Sequence, residues 1–254
     1  MGGLRIERAG DFRVWRLAKE RGNALDESLV EDLGAAARAA AQDPTVKGIL
    51  LATAHPKIFC PGLDLITFAD YDRASLGRFL AKLVDTMGTL FGLGKPVVAA
   101  LGGHAVAGGF LLALTADHRV LRRGGFKIGL NEGKVGVPIP RPLVMLLRAS
   151  LPPSALTPVV LLGRNFTDEA AVAMGLCDEL ADAAVLETVA LSRLAELAEK
   201  DPVALGKLKG YLRAEVLATM QRSSEEAISE FLDCWFLPAT QQRIRQAVTG
   251  LAAG

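Results

Sequence analysis

Two glycine turns and one acidic residue are the part of the sequence that most clearly suggests chemistry. The turns occupy residues 59–65, with the sequence FCPGLDL, and residues 102–109, with the sequence GGHAVAGG. Each follows an expected strand and precedes a helical stretch. In the first turn of a helix, the backbone N–H groups have no partner within the helix and lie at the positive end of its dipole. Two such groups directed at one point would stabilise an oxygen that gains negative charge, and the carboxylate of Glu132 could move a proton beside it. The pattern indicates a site that activates a carbonyl group.

The glycines of the second turn also have a purely structural interpretation. Gly108 and Gly109 begin a helix whose other residues are nearly all apolar, which predicts that this helix is buried on every side. Because glycine has no Cβ, these positions would allow a ligand to approach the backbone, or simply let the helix pack tightly against a strand. The first turn, at residues 59–65, favours the ligand interpretation.

Composition and charge are those of an ordinary soluble enzyme rather than of a nucleic-acid or membrane protein. Half of the 254 residues are hydrophobic and the formal net charge is +1, so there is no general attraction to nucleic acid or to an anionic membrane. Charged residues interrupt the N-terminal 15 residues, which resemble neither a signal peptide nor a membrane span. The three cysteines are odd in number and lack metal-site spacing. They predict free thiols, a cytoplasmic location and no metal site.

Strands and helices alternate along the first part of the chain. Strands are expected at 14–17, 46–52, 97–101, 120–121 and 126–128, and helices at 26–41, at 74–91 and from Gly108. Strands separated by helices predict mainly parallel sheets. From about Pro140 the chain is expected to be almost wholly helical, with breaks at Pro152, Gly163, Pro202 and Pro238.

The two turns, together with residues 110–117 (FLLALTAD) and 128–132 (IGLNE), resemble the crotonase superfamily, which contains the enoyl-CoA hydratases and isomerases. The similarity runs nearly end to end, and the order and spacing of its segments make it specific. Further matching segments lie at 23–25, 47–51, 95–99, 162–167 and 175–179. The resemblance implies an α/β fold: a crotonase-like spiral of ββα units over residues 1–195 that carries the acyl-CoA site. A helical C-terminal region, residues 196–254, would mediate trimer contacts.

The resemblance also implies roles for individual residues. The oxyanion donors would be the backbone N–H groups of Leu63 and Gly108. Coenzyme A, which enters as part of the substrate and not as a cofactor, would be held by Lys19, Arg21, Ala24, Pro61, Gly62, Asp64 and Leu65. Lys19 and Arg21 are equally well explained as solvated surface charge. The family usually has alanine where this chain has Pro61, but the donor is the N–H of Leu63, so the lost N–H of proline leaves the chemistry intact.

The number of acidic residues at the site distinguishes two reactions of the family, hydration and isomerisation. Hydratases use two carboxylates; the first would lie at Leu111 and the second matches Glu132. A leucine cannot hold water or accept a proton, whereas one acid suffices to move a proton from carbon 2 of a 3-enoyl thioester to carbon 4. The resemblance therefore favours an enoyl-CoA isomerase. Hydration or thioester hydrolysis with Glu132 alone, and a non-catalytic acyl-CoA-binding protein, remain alternatives.

The remaining polar residues are expected to be structural. His55, His104, His118, Cys60 and Asp117 match no nucleophile–base or metal motif, and the sequence leaves open whether Arg141 borders the acyl pocket or faces solvent.

Apolar residues near the C-terminus suggest assembly. The short segment that carries Phe231, Trp235, Phe236 and Leu237 is too apolar to be covered easily by one chain, since large exposed apolar patches usually mark interfaces. We expect a homotrimer or a homohexamer built from two trimers. The walls of the acyl pocket are expected from residues 66–91 and the C-terminal helices.

Overall fold

The computed structural model describes residues 3–20, 22–222 and 224–252. Within these residues the strands are β1 Leu4–Ala9, β2 Phe12–Leu17, β3 Gly48–Thr53, β4 Ile58–Cys60, β5 Val97–Leu101, β6 His104–Val106, β7 His118–Arg122, β8 Ile128–Gly129, β9 Asn165–Phe166 and β10 Glu179–Ala181. The helices are α1 Glu27–Gln42, α2 Leu65–Phe68, α3 Arg73–Phe91, α4 Gly108–Ala113, α5 Glu132–Val135, α6 Arg141–Ser150, α7 Pro153–Leu156, α8 Asp168–Ala173, α9 Leu186–Ala198, α10 Pro202–Arg222, α11 Ser224–Trp235 and α12 Pro238–Ala252.

The strands form two sheets that the chain visits alternately. The larger sheet has the order β1-β2-β3-β5-β7-β10 and is parallel except for the β1–β2 pair. The smaller sheet has the order β4-β6-β8-β9, with only the β8–β9 pair antiparallel. Thus β3-β4, β5-β6 and β7-β8 each place one strand in each sheet and then lead into a helix. The expected α/β spiral of ββα units, with mainly parallel sheets, is confirmed.

Local sequence accounts for where the long helices begin. Asp26 caps α1, because its carboxylate accepts a hydrogen bond of 2.9 Å from the backbone N–H of Leu29. Asp72 caps α3 in the same way, through the N–H of Ser75 at 2.7 Å. Pro202 and Pro238 are the first residues of α10 and α12, where a missing N–H costs nothing.

Five strands, β1, β4, β6, β9 and β10, were not predicted. Strands β4 and β6 have three residues each and belong to the two glycine turns themselves, where no period can be recognised. The expectation of an almost wholly helical chain after Pro140 is wrong at β9 and β10. Strand β10 is three residues long and forms only because β7 offers it a parallel edge.

The C-terminal helices pack against the core through buried polar and apolar contacts. The carboxylate of Asp117 accepts hydrogen bonds from Lys209 and Arg213 of α10, each at 2.7 Å, and from the backbone N–H of Val97, also at 2.7 Å. Helix α11 contacts α3 and α6. The division of the chain at residues 195 and 196 stays a prediction. No helix within the described ranges combines the length and the apolar character needed to cross a bilayer.

One premise of the assembly argument is wrong. Phe231 and Trp235 are only 2% and 1% exposed, because they face inward between α11 and the core. Phe236 is partly buried against the same core, and Leu237 alone of the four is exposed, at 52%. This segment therefore gives no evidence of an exposed apolar patch.

Candidate active site

The first glycine turn is fixed by a backbone bridge that turns one N–H group outward. Leu25 donates to the carbonyl of Gly62 at 2.8 Å, and Asp64 donates to the carbonyl of Leu25 at 3.0 Å, which forms a parallel bridge between Leu25 and Leu63. Successive N–H groups of an extended chain point in opposite directions. Because the N–H of Asp64 points to Leu25, that of Leu63 points away from it.

The second turn approaches the first so closely that only glycine fits at two positions. A Cβ on Gly62, whose φ is +99°, would lie 2.8 Å from the Cβ of Ala107 and 3.1 Å from the nitrogen of Gly108. A Cβ on Gly109 would lie 2.0 Å from the carbonyl oxygen of Cys60. The two turns are thus in direct backbone contact, and the first residue of α4 lies against the first turn.

Two free N–H groups flank one point between these turns. Among the described residues, neither Leu63 nor Gly108 donates its backbone N–H to a protein acceptor. The position that a Cβ on Gly108 would take lies 3.8 Å from the nitrogen of Leu63, so both groups border the same small space. Ala107, with φ +52°, sets the direction of the chain just before Gly108 and is held by its own N–H bond of 2.9 Å to the carbonyl of Gly129. The geometry is that of a preorganised site for a developing oxyanion.

Among the described residues, Glu132 is the only acidic or basic one that borders the cavity next to these groups. The cavity has a volume of about 110 Å³. It is lined by Pro61, Leu63, Leu65, Leu80, Leu83, Ala107, Gly108, Leu111, Asn131, Glu132, Val135, Val137, Pro138, Ile139, Pro140, Leu143, Phe231 and Trp235. The carboxylate of Glu132 accepts one hydrogen bond, of 2.9 Å, from the backbone N–H of Asn131. Burial among apolar side chains outweighs that bond and raises the pKa of Glu132 to about 7.

Leu111 is the residue at which the family resemblance would place the second carboxylate of a hydratase. It is buried, with 4% of its surface exposed, and it lines the same cavity as Glu132. Among the described residues the cavity therefore offers one side chain that can transfer a proton, and the rest of its wall is apolar apart from Asn131 and the backbone.

The residues proposed to bind coenzyme A fall into two groups, those that line the cavity or lie next to it and those that do not. Pro61 and Leu65 line it, and Gly62 lies directly beneath the two N–H groups. Asp64 instead caps α2 by accepting hydrogen bonds from the N–H and the hydroxyl of Thr67. Of the others, Lys19 and Ala24 belong to the loop after β2.

The loop after β2 is only partly suited to the proposed role. The ammonium group of Lys19 pairs with the carboxylate of Asp26, so its charge is already compensated within the chain. Ala24 is partly buried next to Leu25. Arg21 lies outside the described residues.

Asn23 positions this loop and was not predicted as a site residue. It is fully buried with φ +64°, a conformation that asparagine tolerates better than most residues. Its amide donates to the hydroxyl of Thr53 at 2.9 Å and to the carbonyl of Phe59 at 3.0 Å, and its oxygen accepts from the N–H of Lys19. Asn23 thereby ties the loop to the first glycine turn. Its place at the start of the NAL segment was the available signal.

The other polar candidates have structural roles. The ring nitrogen Nδ1 of His55 accepts from two backbone N–H groups of its own turn, and Nδ1 of His104 accepts from that of Lys127. Burial raises the pKa of the Cys60 thiol to about 12, which keeps it protonated and unreactive at neutral pH. Arg141 is exposed and does not line the cavity. In the part of the chain that is described, no three His, Cys, Asp or Glu residues are grouped as metal ligands.

Comparisons with known proteins show to which family the chain belongs. Carnitinyl-CoA dehydratase of Proteus mirabilis is 29% identical over 210 residues, which cover 83% of this chain and 78% of the relative. A Mycobacterium tuberculosis protein, described as an enoyl-CoA isomerase in one solved structure and as a probable enoyl-CoA hydratase in another, superposes with a TM-score of 0.83 at 27% identity, over 90% of this chain and 99% of that one. Human mitochondrial delta3-delta2-enoyl-CoA isomerase reaches a TM-score of 0.95 over 99% of this chain and 98% of that one; at 22% identity this shows a shared fold. The sequence model of enoyl-CoA hydratase/isomerase matches residues 16–235. The chain therefore belongs to the enoyl-CoA hydratase/isomerase family of the crotonase superfamily.

Proposed function

We propose that this protein isomerises 3-enoyl-CoA thioesters to 2-enoyl-CoA thioesters. The proposal rests on one observation: two backbone N–H groups that lack a protein acceptor border the same mainly apolar cavity as a single carboxylate. Leu63 and Gly108 supply the N–H groups, Glu132 supplies the carboxylate, and Leu111 occupies the place of the second acid.

The proposed reaction needs one proton acceptor that becomes a donor. The thioester oxygen lies between the N–H groups of Leu63 and Gly108, and the carboxylate of Glu132 takes a proton from carbon 2. The electron pair of that C–H bond enters the carbonyl, which gives a dienolate whose oxygen is stabilised by the two N–H groups. Carbon 4 then takes the proton back from Glu132 as the double bond moves from carbons 3 and 4 to carbons 2 and 3. No proton, electron or other reactant is left over.

The environment of Glu132 suits both halves of this cycle. A pKa of about 7 leaves the carboxylate basic enough to accept a proton and its acid form able to return one near neutral pH. A carboxylate in bulk water, with a pKa near 4.5, would be a much weaker base.

Hydration and dehydration form the second candidate, because the curated relatives include a carnitinyl-CoA dehydratase. Such a reaction must place a water or hydroxyl group at carbon 3 beside Glu132 without help from residue 111. Thioester hydrolysis and binding without turnover are further outcomes of the same experiment.

A panel of thioesters tests the proposal. Wild-type protein is incubated at pH 8 with a 3-enoyl-CoA, the matching 2-enoyl-CoA and the saturated acyl-CoA, and the initial rates of isomerisation, hydration and hydrolysis are compared. We expect isomerisation to be the fastest of the three. A faster hydration would show that another group holds the water, and an absence of all three reactions would leave an acyl-CoA-binding protein.

We also propose that the protein assembles as a homotrimer or homohexamer. The support is an exposed apolar stripe on α10, where Leu208, Tyr211 and Leu212 are 57%, 73% and 83% exposed. These positions follow helical spacing and so lie on one face.

A further inference from the structure

We infer that the acyl cavity is a blind pocket for short chains, and that Trp235 and Phe231 of α11 form the plug that sets its length. The ligand class would be acyl-CoA thioesters with about four to six acyl carbons. The inference rests on the proposed function for the identity of the ligand as an acyl-CoA.

Burial distinguishes the mouth of the cavity from its closed end. Several lining residues at one end of the cavity, from the first glycine turn and the segment after β8, are partly exposed: Leu63, Leu65, Glu132 and Ile139. The wall formed by α3, α6 and α11 contains only buried side chains. Those are Leu80, Leu83, Leu143, Phe231 and Trp235, none more than 4% exposed. A chain that enters beside Glu132 therefore meets a wall with no opening to solvent.

The volume of the cavity limits what it can hold. A cavity of about 150 Å³ holds one benzene molecule, which has six carbon atoms. The volume of about 110 Å³ therefore has room for about four carbon atoms. Since the thioester carbonyl is held at the two N–H groups, about three to five further carbon atoms fill the space. A long fatty acyl chain would have to displace the side chains of α11.

Trp235 is the largest side chain of this wall, and packing holds it in place. Its ring lies against that of Phe231, with 5.7 Å between the centroids and 26° between the planes. Its backbone carbonyl accepts a 2.8 Å hydrogen bond from the side chain of Gln241 on α12, which fixes the end of α11. The indole N–H has no hydrogen-bond partner among the described residues. Replacing the indole by another aromatic ring consequently removes no hydrogen bond.

The wild-type protein alone provides the first test. Binding of butanoyl-CoA, hexanoyl-CoA and dodecanoyl-CoA is measured by titration calorimetry, and kcat/KM is measured for the matching 3-enoyl-CoA series. Because one methylene group in a fitted apolar pocket changes kcat/KM by about 10- to 200-fold, we expect the twelve-carbon substrate to be at least about tenfold poorer than the six-carbon one. Equal or better binding and turnover of the twelve-carbon thioesters would overturn the inference.

A pair of variants assigns the effect to the plug. Trp235→Leu should enlarge the pocket and raise kcat/KM for the twelve-carbon relative to the six-carbon substrate by about tenfold or more. Trp235→Phe keeps a smaller aromatic ring in the plug and should shift the ratio in the same direction by less. Glu230→Gln, an exposed change on the same helix outside the cavity lining, is the control and should retain the wild-type preference. If Trp235→Leu fails to fold, Leu80→Ala on the facing helix α3 gives the same readout. An unchanged chain-length ratio in a folded Trp235→Leu or Leu80→Ala variant would contradict the assignment.

The binding measurement separates this inference from the proposed function. A short-chain binding preference without isomerisation would refute the isomerase proposal and leave the pocket assignment standing. Isomerisation without any chain-length preference would refute the pocket assignment and leave the isomerase proposal standing.

Discussion

Replacing Glu132 by glutamine is expected to lower kcat for isomerisation by about 100- to 10,000-fold, the usual contribution of a positioned general base. Glutamine keeps the shape of the side chain and can still accept the hydrogen bond from the N–H of Asn131, but it cannot take up a proton. Since the two oxyanion donors are untouched, binding of a saturated acyl-CoA should change little. Steady-state rates and calorimetric binding on the same preparation check both statements.

The pH dependence of kcat/KM of the wild type tests whether Glu132 is the base. The pKa of Glu132 is raised to about 7 by burial, so kcat/KM should fall about tenfold per pH unit below 7 as the carboxylate is protonated, and level off above it. The residual activity of Glu132→Gln should lack this acid limb. A variant that keeps near wild-type rates, or the same limb, would show that Glu132 is not the base.

Measurements of the free energy of unfolding as a function of pH show whether Glu132→Gln is folded, and so serve as its control. The folded-state pKa of Glu132 lies above its ordinary value of 4.5, so the folded protein binds more protons than the unfolded chain between pH 4.5 and 7. The wild type should therefore lose stability as the pH rises through this window, whereas the variant should not. At pH 8 we expect Glu132→Gln to be more stable than the wild type by up to about 3 kcal/mol.

Changes at Gly108 should have the second largest effect. Gly108→Pro removes the N–H group itself, and Gly108→Ala places a methyl group in the space between the two donors, 3.8 Å from the nitrogen of Leu63. Loss of one such donor costs about 100- to 1,000-fold in rate. We expect kcat to fall by that amount in Gly108→Pro. Gly108→Ala keeps its N–H group and should also lower kcat, because its methyl group occupies the space that the thioester oxygen needs. The alanine Cβ would lie 3.1 Å from the flexible side chain of Leu25 and no closer to any other atom, so the fold should survive.

Gly210→Ala is the matched control for the alanine variant. A Cβ at Gly210 on α10 meets nothing within 4 Å, and this glycine has a helical position far from the cavity lining. Its kinetics should equal those of the wild type. Unchanged kinetics in a folded Gly108→Ala or Gly108→Pro variant would instead remove the oxyanion assignment.

The sequence predicted the long elements and the reactive core of the site for local physical reasons. The cap at Asp26 and the helix starts at Pro202 and Pro238 depend on neighbours within one turn, and the strand 97–101 is a short apolar run. The juxtaposition of residues 59–65 with residues 102–109 required only that successive parallel strands end at the same edge.

What the sequence left open depends on contacts between distant segments. Strands β4 and β6 exist because the two turns pair with each other, and β10 because β7 has a free edge. Phe231 and Trp235 were predicted to be exposed, since their apolar character is equally consistent with an interface and with a pocket wall. Only the packing of α11 against α3 and α6 decides that they face the cavity.

Transfer of an isotopic label tests most directly whether one carboxylate performs both proton transfers. A 3-enoyl-CoA that carries deuterium at both positions of carbon 2 is converted in ordinary water at pH 8, and the position of deuterium in the 2-enoyl product is determined by mass spectrometry and NMR. In the described part of the chain Glu132 is the only acidic or basic side chain that lines the cavity, so part of the deuterium removed from carbon 2 should appear at carbon 4 in the wild type. Undiminished conversion and label transfer by Glu132→Gln would contradict the account, since a group other than this carboxylate would then move the proton.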